Sequence, residues 1–387
     1  MINEVIVFIG SKKDFNNLLH ERIDTENDEV VSFMELIQHY NARIHPTESG
    51  VKEIFLKKKI GANCLICKSD DFGSVLEHTL LNFTNIISLN YDVEKLFVHN
   101  PPKKVLENLQ SEFGDEIEYL KSDYKQIDIP CIKKIYNDLN EKILGQERCK
   151  MQIISGLYRL TKAKSQKPAV FMLYGPSGVG KTETAKCISN SLGGDLLRIQ
   201  FSMMQTNEAY NYVFGAEHSK ASFARDMMAR ESNIILIDEF DKVNPNFYNA
   251  FYELFDEGKY VDTNYEVDLK NSIFLCTCNF MSENEIKKVL GPAMYSRIGK
   301  SIEYKELQKG QKIEIIDKWY DEILAVLNVD EKNVINQTNI LEWFKENEER
   351  YDNIRLLKNK MEQAIYEKLA EVFVIEKFEN VMNVTTK

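Results

Sequence analysis

Residues 175–182 read Gly175-Pro176-Ser177-Gly178-Val179-Gly180-Lys181-Thr182. This fits the pattern of a phosphate cradle. Glycines let the backbone curl until several N–H groups face one phosphate. Lys181 reaches the outer phosphates, and the Thr182 hydroxyl is a hard-oxygen ligand for Mg²⁺. An apolar strand predicted over 169–174 feeds the loop, and a helix begins at Lys181. That helix turns its positive end, with Glu183 in the first turn, toward the same place. Gly175 to Glu183 are therefore assigned to nucleotide, with ATP and Mg²⁺ as cofactors.

A second group completes the chemistry. Ile234-Ile235-Leu236-Ile237 is a fully apolar run followed by Asp238-Glu239. Such a run reads as a strand buried on both faces. Carboxylates at its C-terminal end project where open α/β sheets bind ligands. Asp238 is expected to hold Mg²⁺ together with Thr182. Glu239 is expected to polarise the attacking water, because phosphoryl transfer depends on in-line positioning.

With these motifs in view, the chain resembles the AAA+ ATPases, most closely the second ATPase module of the ClpA/ClpB unfoldases, from Leu139 to about Ala370. Ile143-Leu144-Gly145-Gln146 resembles that family's adenine-packing segment, which places Ile143 and Leu144 on the base. Asp256-Glu257-Gly258-Lys259 resembles its acidic turn. Asn279 matches the sensor-1 position, a polar group turned to the γ-phosphate and water. Pro292 to Ile298 resembles the arginine-finger helix, so Arg297 is expected to reach a neighbour's ATP. Asn353-Ile354-Arg355 resembles the sensor-2 motif, with Arg355 on the phosphates. The resemblance implies a homo-oligomeric ring, expected as a hexamer, because Arg297 must act in trans.

Two departures matter. The family threads substrate with an aromatic-glycine loop. Here the corresponding residues run Phe214-Gly215-Ala216-Glu217-His218-Ser219-Lys220-Ala221-Ser222-Phe223, with no aromatic at the tip. Tyr210 and Tyr212 lie just upstream and read more readily as loop or core residues than as a grip. Between Asn279 and Arg297 there is no room for a peptidase-docking loop, so no Clp peptidase is expected.

The elements that must position these groups follow from periodicity. Strands are expected at 4–9, 64–68, 85–89 and 95–99, and helices at 14–21, 72–83 and 102–113. This gives a separate α/β N-terminal domain over 1–128. A P-loop module, a parallel sheet flanked by helices, follows over 129–305, and a helical lid and tail over 306–387. No Ser/His/Asp set or carboxylate dyad stands out in the N-terminal domain, so it is expected to choose a protein partner. Its Gly10-Ser11 turn and its Cys64/Cys67 pair are weak signals for an anion and for zinc.

The chain has 387 residues and a net charge of −11. That field disfavours the phosphate backbone of nucleic acid as a partner. Seven scattered cysteines suggest no disulfide framework. No apolar run is long enough to span a membrane, and a cytoplasmic protein is expected. The leading expectation is ATP-driven remodelling of a protein partner. A regulatory switch or scaffold whose assembly is the output, and a nucleic-acid-linked loader, stay open.

Overall fold

The structure is a computed structural model. It describes residues 2–24, 26–44, 59–162, 167–203, 206–351 and 353–375. It contains two parallel sheets flanked by helices, followed by a helical C-terminal segment.

The first sheet is built from β1 (Glu4–Ile9), β2 (Val30–Ser32), β3 (Ile60–Cys67), β4 (Tyr91–His99) and β5 (Ile117–Lys121), in the order β2-β3-β4-β1-β5 and parallel throughout. Helices cover both faces, so the strands are apolar on both sides. Val5 and Val7 join the helices Phe33–Ile44, Phe83–Asn90 and Lys103–Phe113 in one core. Ile6 and Phe8 meet Phe15 and Leu18 of the helix Lys12–Arg22 on the other face.

Residues 85–89, expected as a strand, lie inside the helix Phe83–Asn90. Its buried Phe83, Ile86, Ile87 and Asn90 fall at helical spacing, a pattern that a five-residue apolar window cannot separate from a buried strand. The helix expected over 72–83 is broken into Ser69–Phe72 and Glu77–Leu81. The short strands β2 and β5 were not anticipated. Cys64 and Cys67 are buried free thiols in β3, and no cluster of metal-ligating side chains occurs among the described residues.

The helix Ile129–Lys142 opens the second unit. Asp128 caps it by accepting from the Cys131 N–H at 2.7 Å, and Pro130 sits in its first turn. After a break with Gly145 at φ +67°, the helix Glu147–Leu160 follows. The second sheet contains β6 (Ala169–Tyr174), β7 (Leu197–Gln200), β8 (Ile234–Asp238), β11 (Ile273–Thr277) and β12 (Lys300–Glu303), in the parallel order β12-β6-β11-β8-β7. A hairpin of β9 (Lys259–Val261) and β10 (Glu266–Asp268) precedes β11. The helices Lys309–Val326, Val329–Asn336, Ile340–Glu346 and Ile354–Ala370 form the C-terminal segment around their own core of Ile316, Leu357, Met361 and Ile365.

The two sheets are joined by a specific seam. Arg225 donates to the Asp70 carboxylate at 2.6 Å and to the Ser69 carbonyl at 3.4 Å. His218 Nε2 lies 2.7 Å from the Val75 carbonyl oxygen. The Lys103 N–H donates to the Asn264 carbonyl at 2.8 Å, and the Lys103 ammonium donates to the Asp262 carbonyl. Tyr124, in the connection between the units, donates to the Arg230 carbonyl at 3.1 Å, and its ring lies 4.2 Å from the Arg230 guanidinium.

Candidate nucleotide site

At the C-terminal edge of the second sheet lies a cavity of about 650 Å³. The loop leaving central strand β6 forms one wall. Gly175 has φ +131°, and a Cβ there would stand 2.1 Å from the Tyr304 carbonyl oxygen, so only glycine fits. Gly178 has φ +82°, and a Cβ there would press to 2.8 Å from Asn353 Oδ1 at the start of the helix Ile354–Ala370. The loop is thus held against β12 on one side and the C-terminal helices on the other. Its residues Ser177 to Glu183 line the cavity.

Gly175 and Pro176 do not line it. Their carbonyls instead accept from the Lys181 ammonium at 2.6 and 2.7 Å, while Asn279 Oδ1 accepts at 3.3 Å. Lys181 is buried, and desolvation pushes its pKa below the ordinary lysine range, partly offset by nearby acids including Asp241 and Asp238. A buried ammonium folded onto backbone carbonyls beside an open cavity suits an anionic ligand.

Asp238 ends β8 nearly buried. Its Oδ1 accepts from the Thr277 hydroxyl and, at 3.4 Å, from the Thr182 hydroxyl. A hydroxyl and a carboxylate together are a hard-oxygen pair of the kind Mg²⁺ takes. Glu239 follows with φ +56°, a left-handed conformation that costs about 1 kcal/mol outside glycine. Its N–H donates to Thr277 Oγ1 at 3.0 Å. Thr277 therefore ties both acids to the end of β11, where Asn279 also lines the cavity.

Ile143 and Leu144 form an apolar wall, with Ile143 packed in the same core as Val179. Gln146 fixes that wall by donating to the Lys305 carbonyl at 2.7 Å and accepting from the Lys305 N–H at 3.2 Å. Arg355 enters the cavity from the first turn of its helix, which Asn353 caps. Arg297 is the exception. It lies outside this cavity, donates to Asp256 at 2.8 Å, and stacks 4.3 Å from the Tyr252 ring centroid.

Several lining residues were not anticipated, among them Thr277, Lys318, Trp319 and Arg198. Arg198 is the most consequential. It lies in β7, and its guanidinium donates twice to Asp238 Oδ2, at 2.9 and 2.6 Å. A lone arginine in a short strand gives no signal until β7 is known to lie beside β8.

Tyr212 is buried and donates to Asp226 at 2.6 Å. Tyr210 is exposed and packs on Phe214 and Phe247.

The order of strands and the filled positions at their ends define a P-loop ATPase. The comparisons with known proteins agree. The family described as "AAA domain (Cdc48 subfamily)" matches residues 166–320. The ATP-dependent Clp protease ATP-binding subunit ClpL of Staphylococcus aureus (strain USA300) is 26% identical over 276 residues, covering 64% of this chain and 39% of that protein. The chaperone protein ClpB of Yersinia enterocolitica is 31% identical over 169 residues, covering 40% of this chain and 19% of that protein. A closed-state reconstruction of Hsp104 with ATPγS and casein has a similar fold, with TM-score 0.52 at 12% identity, covering 95% of this chain and 88% of that one. Residues 166–320 match a AAA domain, and the chain is similar to ATPases of the Clp/Hsp100 group. It spans about two fifths of the length of the ClpL relative. No helix among the described residues is long and apolar enough to cross a membrane.

Proposed function

We propose that this ATPase remodels a protein partner recognised by its N-terminal domain, residues 1–128, and that ATP-driven motion reaches that domain through the seam rather than through a threading loop. Residues 129–305 serve as the large ATPase subdomain and 306–387 as lid and tail. The chaperone named in the ClpB relative, and the ATP-dependent protease subunit named in ClpL, support ATP-driven work on proteins as the general activity.

The geometry supports a division of roles. The cradle N–H groups, Lys181 and Arg355 bind and orient the phosphates, and Ile143 and Leu144 cover the base. Thr182 and Asp238 would hold Mg²⁺, which neutralises phosphate charge when bound. Glu239 accepts a hydrogen bond from the attacking water, and Asn279 orients it from the other side. Arg297, free of its own cavity, acts on the nucleotide of the next subunit in a ring. That arrangement spreads charge stabilisation over two subunits and ties turnover to assembly.

The observation that carries the reading is the place of residues 215–225. The counterpart of the family's threading loop, Phe214 to Phe223, lies against residues of the N-terminal part through His218 on Val75, and Arg225 just beyond it holds Asp70. The test uses a folded fluorescent protein bearing an unstructured tail. With ATP, its fluorescence is expected to persist, while the Glu239→Gln variant charged with ATP retains a partner through residues 1–128. Rapid ATP-dependent unfolding of the tailed substrate would replace this reading with threading.

The same contact favours a second reading, in which the ATP-bound assembly is itself the output. Turnover stimulated by one folded partner supports remodelling. Turnover indifferent to any protein, with assembly following ATP, supports the switch.

A further inference from the structure

Asp238 is the carboxylate hydrogen-bonded to Thr182, and both of its oxygens are already engaged. Oδ1 takes the hydroxyls of Thr277 and Thr182. Oδ2 takes a bidentate grip from Arg198, with Nε at 2.9 Å and Nη2 at 2.6 Å. Paired N–H donors on one carboxylate are among the stronger charge-assisted contacts. Asp238 is nearly buried, so a negative charge there needs a cation beside it. Arg198 supplies that cation, yet its own side chain is 44% exposed and lines the cavity with Lys181 and Arg355. Besides Asp238 it has only a long contact to Gln200 Oε1, at 3.4 Å. A long side chain anchored in β7 and open to the cavity can turn from the carboxylate to a phosphate without moving the backbone.

We propose that Arg198 is a positioning residue that competes with Mg²⁺ for Asp238. In the empty site it holds the carboxylate in place of the metal. When a nucleotide arrives without metal, it adds positive charge against the outer phosphates. When the metal enters, it must release Oδ2. The proposal rests on the reading of the cavity as a Mg·ATP site. Its consequence concerns affinity rather than rate: Arg198 raises affinity for the free nucleotide and opposes affinity for the magnesium complex, so it flattens the dependence of binding on Mg²⁺.

The experiment measures binding of the slowly hydrolysed fluorescent analogue mant-ATPγS to the full chain, in excess EDTA and in saturating Mg²⁺. The wild type is expected to bind in both. Arg198→Ala is expected to weaken binding in EDTA by about tenfold, the scale of one charge-assisted contact, while binding in Mg²⁺ holds or tightens. The enhancement by Mg²⁺ therefore grows by about the same factor. Asp238→Asn frees Arg198, and is expected to strengthen binding in EDTA and reduce the enhancement. In the double variant, Arg198→Ala loses its effect on the enhancement.

A purely structural arginine would weaken both affinities by the same factor, and that outcome overturns the proposal, as does an unchanged pair of affinities. Circular dichroism of Arg198→Ala separates loss of fold from either result, and with a misfolded Arg198→Ala the decision passes to Asp238→Asn, where an unchanged affinity in EDTA overturns the proposal. Failure of the wild type to bind in both conditions would remove the nucleotide reading itself, whereas wild-type binding with an unaltered Mg²⁺ enhancement in Arg198→Ala removes only the role of Arg198.

Discussion

The chain builds the same device twice and opens it onto very different spaces. In each sheet a central strand ends in a glycine turn that opens a helix: β1 runs through Gly10-Ser11 into Lys12–Arg22, and β6 runs through Gly175 to Gly180 into Lys181–Leu192. Both turns lie at the C-terminal edge of a parallel sheet, where such folds bind ligands. The second turn borders a cavity of about 650 Å³. The first borders a smaller pocket of about 220 Å³, and its own turn is filled by the chain itself. Asn100 accepts from the Gly10 N–H and donates to the Gly10 carbonyl, both at 2.8 Å. Ser122 accepts from the Ser11 N–H at 2.9 Å and donates to Asp14 at 2.6 Å. The donors that would face an anion are therefore satisfied internally. A short turn closed by neighbouring strands makes a structural joint. A six-residue loop wedged between β12 and the C-terminal helices leaves Ser177 to Gly180 lining a cavity.

The largest effect that can test this contrast is at Lys181. Lys181→Ala is expected to abolish nucleotide binding and all turnover, while Glu239→Gln keeps ATP bound and slows hydrolysis by about 10²-fold or more. Equilibrium binding and phosphate release measure the two separately. Unchanged turnover in Glu239→Gln would take Glu239 out of the reaction. Lys12, which opens its helix after the closed turn as Lys181 does after the open one, supplies the comparison. Lys12→Ala should leave nucleotide affinity where it was.

Next comes Arg297, which the structure keeps on Asp256 and Tyr252 and out of its own cavity. Arg297→Ala is expected to lower turnover by about 10³-fold with ATP affinity retained. Doping it into wild type should depress turnover more than in proportion. Strictly additive rates, or sedimentation as a monomer with ATP and Mg²⁺, would contradict a finger shared between subunits.

A smaller effect is expected at the seam. Arg225→Ala removes the bonds to Asp70 and Ser69, and Asp70 is well exposed, so the loss is about 1 kcal/mol. Hydrogen exchange across residues 69–76 should quicken, with basal ATP turnover changed less than about twofold. Exchange unchanged from wild type would show that the seam does not depend on this pair.

What could be read in advance follows the same division. The glycine loop is eight consecutive residues after an apolar strand, so the strand, loop and helix over 169–192 were legible without a fold. The buried strand that ends at Asp238 was legible because four apolar residues precede the two acids. Arg198 was not, because its partner lies 40 residues away and only the β7–β8 pairing brings the two together. The seam was illegible for the same reason: Asp70 and Arg225 are 155 residues apart. Residues 85–89 failed differently. Their apolar run is too short to carry a period, and the packing of Phe83 and Ile87 decided for a helix.

The smallest predicted effect tests the closed turn. His99 ends β4 fully buried, with Nε2 at 2.9 Å from the Gly10 carbonyl and its ring stacked 4.6 Å from Phe15. Asn100 donates to that same carbonyl, so the imidazole is held as an N–H donor inside the joint. Burial disfavours the charged ring and lowers its pKa, while the Gly10 carbonyl and Asp70 pull the other way and Lys12 opposes protonation. The unfolded chain, with a histidine pKa of about 6.5, therefore takes up the proton before the folded chain does. The stability that His99 contributes is complete above about pH 6.5 and is lost as the pH falls from there through the folded value. Melting of the N-terminal unit, followed from about pH 8 to pH 5, should fall more steeply in the wild type than in His99→Gln, which cannot titrate. Comparison between the two removes the contribution of carboxylates common to both. Parallel curves would mean that the joint tolerates a charged His99, and that its closure rests on Asn100 and Ser122 alone.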